Sequence, residues 1–68
     1  MYEERTVIES DLSLKTLEVI IGETLGHWHG VSQSGRLGVE ATLPKLDPVE
    51  VAEIRRRIED NGGQVIVS

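Results

Sequence analysis

The stretch LDPVEVAEIRRRIEDNGGQVIVS, residues 46–68, constrains this chain more than any other, because it holds a full set of start and stop signals for one helix and runs directly into a strand. Asp47 is a capping residue, Pro48 stands at the first helical position where a missing N–H costs nothing, and Glu50 completes a capping box. Leu46 can staple onto Val51. Val51, Ile54 and Ile58 recur at i, i+3 and i+7 and make one apolar stripe, and Asn-Gly-Gly at 61–63 supplies a left-handed stop. QVIVS at 64–68 is rich in β-branched residues, as is RTVIES at 5–10. A helix with one apolar stripe needs a surface to lie on, and strands at both ends of the sequence offer one.

Between these elements, Leu14, Leu17, Ile21 and Leu25 fall at helical spacing. Asp11 or Ser13 can cap that segment and Gly26 can end it. A strand over TLEVIIG is the rival, since Leu17, Val19 and Ile21 also alternate and Gly22 weakens a helix interior by up to ~1 kcal/mol. The helix is the expectation. HWHGVSQSGRLGVEATL at 27–43 then predicts a hairpin turning at Ser34-Gly35, with Leu37, Val39, Ala41 and Leu43 alternating. The order strand, helix, hairpin, helix, strand is the βαββαβ pattern, which predicts an α+β ferredoxin-like sandwich with two helices on one face of a four-stranded antiparallel sheet. In element order this resembles small regulatory and metal-carrier modules. The copper-carrier members hold a pair of cysteines in the loop before the first helix, where this chain reads SDLSL, so their activity does not carry over.

Length and composition narrow the function classes. Sixty-eight residues make one small α/β domain, 1–68, which buries about 60% of the surface its unfolded chain exposes, and oligomerisation is the common remedy for such marginal cores. With no cysteine there is neither a disulfide nor a thiolate ligand, and the expected compartment is the cytoplasm. No apolar run approaches the roughly 18 residues of a membrane span, and MYEERTVIE lacks the basic start of a signal peptide. Membrane is not an expected partner. Twelve acidic against seven basic residues give a net charge of −5, which opposes attraction to phosphate backbones. The two aromatic residues, Tyr2 and Trp28, stand too far apart in the sequence for a base-stacking platform. Nucleic acid is therefore not an expected partner either.

GHWHG at 26–30 gathers both histidines and the single tryptophan. HWHG is similar to a copper-ligating stretch in multicopper oxidases, where two histidines spaced i, i+2 reach one copper cluster. Those enzymes need several cupredoxin domains and further histidine and cysteine motifs, which this chain lacks, so the family assignment fails. On a strand, His27 and His29 share one face and Trp28 takes the other. A two-residue turn at Ser34-Gly35 makes paired numbers sum to 69, which sets Trp28 against Ala41 under the helices and His29 against Glu40 on the outer face. That register converges His27, His29 and Glu40, a ligand set for zinc or divalent iron. A three-residue turn instead places the histidines beside Leu37 and Val39. The plainer expectation is a solvated histidine-glutamate pair with Trp28 as packing.

Acid/base work by His29 and Glu40 is a further chemistry for that pair. Serine chemistry fails because a domain this small cannot enclose a substrate, and Ser32 and Ser34 read as turn residues. Arg55, Arg56 and Arg57 lie in the last turns of a helix, where positive charge suits the dipole and Glu53 can pair with Arg57, so they read as a solvated face. In each terminal strand apolar side chains point to both faces, as Val7 and Ile8 do, and as Val65 and Ile66 do. The expected function is therefore a small acidic, non-enzymatic association module without a cofactor, forming a homo-oligomer through its open sheet face or a strand edge, or meeting a protein partner there. The alternatives are divalent-metal binding through the HWH strand and acidic inhibition or regulation of another macromolecule.

Overall fold

A computed structural model describes residues 4–68; residues 1–3, Tyr2 among them, lie outside the described residues. The helix read from residues 46–63 forms as α2 (Pro48–Asp60). The Glu50 N–H donates to Asp47 Oδ1 at 2.8 Å and the Asp47 N–H to Glu50 Oε1 at 3.2 Å, closing the capping box. At the other end Gly62 takes φ +78°. Its N–H donates to the Glu59 carbonyl at 2.9 Å and the Gly63 N–H to the Ile58 carbonyl at 3.0 Å, the pair of bonds of a Schellman stop. α1 (Leu14–Leu25) starts at Ser13, whose hydroxyl accepts from the Thr16 N–H at 3.2 Å, and stops at the left-handed Gly26. Helix prevails over strand there because Leu17, Ile20 and Ile21 are all buried. A strand would send Ile20 and Ile21 to opposite faces.

Four strands, β1 (Arg5–Ser10), β2 (Val31–Ser32), β3 (Val39–Pro44) and β4 (Val65–Val67), pair antiparallel in the order β2-β3-β1-β4 among the described residues. With the βαββαβ element order, this is the ferredoxin-like fold. α1 lies toward β2 and α2 toward β4. In the central ladder Thr6 faces Leu43, Ile8 faces Ala41 and Ser10 faces Val39. All six are buried beneath the helices together with Leu17, Ile20, Ile21, Ile54 and Ile58. The two polar members each accept a backbone hydrogen bond. Thr6 Oγ1 accepts from the Leu46 N–H at 3.0 Å, and Ser10 Oγ accepts from the Leu12 N–H at 3.2 Å.

Among the described residues the core contains no aromatic ring, which corrects the expected place of Trp28: it is 73% exposed. The cause is the hairpin. Val31 pairs with Ala41 and Ser32 with Glu40, so paired numbers sum to 72, and residues 33–38 form a longer connection than the two-residue turn predicted from Ser34-Gly35. A shift by an odd number exchanges the faces of every residue on the strand. Pairing also ends at Val31, so residues 27–29 are not strand at all.

Candidate functional site

The sheet has two edges, and each holds residues that the sequence singles out. At the β2 edge the chain leaves α1 at Gly26, whose φ of +77° reverses it and whose N–H donates to the Gly22 carbonyl at 2.9 Å. Residues 26–30 then cross back over α1 before β2 begins. The crossing passes close to Gly22, where a Cβ would make ordinary contact with the His27 carbonyl oxygen at 3.7 Å. Trp28 and His27 border a shallow groove of about 300 Å³ with Val19, Gly22 and Lys15 of α1. Val19 is itself an exposed apolar residue.

The two imidazoles stand edge-on, with ring centroids 6.5 Å apart and an interplanar angle of 88°. Glu40 is elsewhere. It lies opposite Ser32, not His29, and its Oε1 accepts from the Ser34 hydroxyl at 3.2 Å. The structure therefore brings His27 and His29 together but leaves Glu40 out of their group. Among the described residues no cluster of three or more His, Asp or Glu side chains is gathered as a metal ligand set.

Residues 33–38 use the face that the helices leave bare. The Arg36 N–H donates to Glu9 Oε1 at 2.6 Å, and this carboxylate, on the bare face of β1, is only 6% exposed. Gly35, at φ +86°, permits the approach: a Cβ there would sit 2.5 Å from Glu9 Oε1. Glu9 and Glu40 are opposite each other across the ladder, and each receives a donor from the connection, Arg36 for one and Ser34 for the other. Like charges set opposite each other are destabilising unless solvated or bonded, and the connection supplies those bonds. Sequence reasoning missed this role for Glu9. The signal was an acidic residue directly after the apolar pair Val7-Ile8 within a segment read as a strand.

At the other edge, β4 is pinned at both ends. The Gln64 N–H donates to Asp11 Oδ1 at 2.8 Å, which explains why Asp11 does not cap α1. Val7 and Ser68 exchange backbone bonds of 2.9 Å in both directions. Antiparallel pairs alternate between bonded and non-bonded, so Ile66, opposite Glu9, is also a bonded position, and Val65 and Val67, opposite Ser10 and Ile8, are not. The N–H and C=O groups of Val65 and Val67 consequently point away from β1, out of the sheet. Their side chains pack against the core, while Ile66 lies on the bare face, half-buried.

The arginine run is a helix surface as expected. Glu53 accepts from Arg56 Nη2 at 2.6 Å and from Arg57 Nε at 3.1 Å, and these bonds hold its carboxyl below the usual carboxylate range. Arg56 is raised for the same reason and also reaches Asp60 at 3.2 Å. Arg57 approaches Glu23 of α1 at 3.7 Å, tying the helices together. No described helix is long and apolar enough to cross a membrane. No protein-family model, curated protein or solved structure matches this chain.

Proposed function

We propose that the protein is a small non-enzymatic association module that joins to a second copy of itself through its sheet. The supporting observation is the outer edge of β4, where Val65 and Val67 direct backbone donors and acceptors outward and no described strand pairs with them. Natural sheets usually blunt such an edge with charge, proline, a bulge or a covering loop. VIV carries none of these. The bare face serves less well, because residues 33–38 already lie over Glu9 and its apolar side chains Val7 and Ile66 are each half-buried. A chain of this size also gains more from association than a larger one, since its own core covers a smaller share of its surface.

Light scattering over a wide concentration range tests the reading. The weight-average mass is expected to rise above the monomer mass of 7.5 kDa with concentration. Added salt should favour the rise, because it screens repulsion between copies that each carry −5. A mass of one chain throughout overturns it.

A further inference from the structure

The self-association proposed above leaves open how the copies meet, and the backbone of β4 supplies an answer that goes further. We infer that two β4 strands pair antiparallel about a two-fold axis through Ile66, making one continuous sheet with four strands from each copy.

The hydrogen-bonding parity selects this register. Val65 and Val67 are the residues whose N–H and C=O groups point out of the edge. An antiparallel partner must therefore present its own outward groups to them. Setting Val65 against Val67 of the second copy, and Val67 against its Val65, satisfies both positions in both strands. Centring on Val65 or on Val67 satisfies one pair within VIV and pushes the other beyond it. The chosen register is also compatible in charge, since Gln64 meets Ser68 and no Asp, Glu, Lys or Arg stands in the paired segment. A heterologous strand could make the same bonds, but the edge is its own complement, and a two-fold dimer closes without leaving another edge of this kind.

Ile66 marks the axis. As the non-bonded pair it meets Ile66 of the second copy with Cα atoms about 4.5 Å apart, on the face away from the helices. Val65 and Val67 extend the aliphatic core across the junction on the helix face. The pairing covers a short edge, well below a standard interface, so the dimer should dissociate on dilution.

Because the chain has no cysteine, single-cysteine scanning reads the register directly. The separation at Ile66 falls inside the range of about 4.4–6.8 Å that a disulfide spans. Ile66→Cys should oxidise to a covalent dimer under mild conditions, whereas Val65→Cys and Val67→Cys, each facing the other residue of the partner strand, should stay largely monomeric. In the unmodified protein, amide exchange at Val65 and Val67 should slow as concentration rises, which needs no variant. If the protein associates but Ile66→Cys does not cross-link preferentially, or the Val65 and Val67 amides stay unprotected, this register is overturned and self-association stands. If the protein remains monomeric at every concentration, both fall.

Discussion

The two edges of the sheet are built from similar material and end differently. β4 and the segment entering β2 both contain β-branched or aromatic residues and both follow a helix that stops at a left-handed glycine, Gly62 in one case and Gly26 in the other. β4 becomes a regular strand tied at Gln64 by Asp11 and at Ser68 by Val7. The segment at 27–30 leaves the sheet, and β2 keeps two paired residues. The difference lies in what each segment finds opposite it. Beyond Val31, the observed register would aim Trp28 at the bare face and leave it without apolar cover, whereas on the outside of α1 it meets Val19 and the open backbone of Gly22. One edge is thus short and irregular, a form that resists strand addition, and the other stays open to it.

The largest expected effect tests whether the β2 side is held by tertiary contact and not by its turn. Gly35→Ala adds a Cβ at φ +86° and drives it toward the Glu9 carboxylate, so both the backbone and the Arg36 bond to Glu9 suffer. A loss of about 2–3 kcal/mol in urea unfolding is expected, combining the left-handed penalty with overpacking. A loss under half of that would mean that the connection does not rest on the sheet, and the contrast between the edges would weaken.

Legibility follows the same division. α2 was readable residue by residue because its cap, stripe and stop are local: Asp47, Glu50, Ile54, Ile58 and Gly62 act within one or two turns of each other. The βαββαβ order was readable for a similar reason, as it needs only the kind of each element. The hairpin was not. Its connection reaches back to Glu9, which lies in a strand 27 residues away from Arg36, and nothing in SQSG announces that distant acceptor. Once the register moved by three, Trp28 lost its place in the core and Glu40 its place beside His29. Asp11 shows the same limit: it has the chemistry of a cap, but a backbone donor 53 residues distant claims it.

That bond makes the next effect. Asp11→Ala removes the acceptor for the Gln64 N–H, so the start of β4 should fray at a cost of about 1 kcal/mol. Ser13 continues to cap α1, which leaves helix content unchanged by circular dichroism. The association of copies should weaken in parallel, since an edge that frays cannot template a second strand. Unchanged stability together with unchanged association would show that β4 owes its order to β1 alone.

The smallest effect is the sharpest for the comparison. Trp28→Ala should change stability by less than about 0.5 kcal/mol, because a ring that is 73% exposed loses little burial when truncated. Under the helices the same change would cost ~3–5 kcal/mol, so a result in that range would return residues 27–29 to the sheet and restore the shorter turn. As the single tryptophan, Trp28 also reports on association without a label. Its emission should be that of a water-exposed indole and readily quenched. Because it stands by α1 at the β2 edge, while copies are proposed to meet at β4, emission and quenching should stay constant as the mass rises with concentration. A blue shift that tracks the mass would put the second copy on the Trp28 groove and reverse the roles assigned to the two edges.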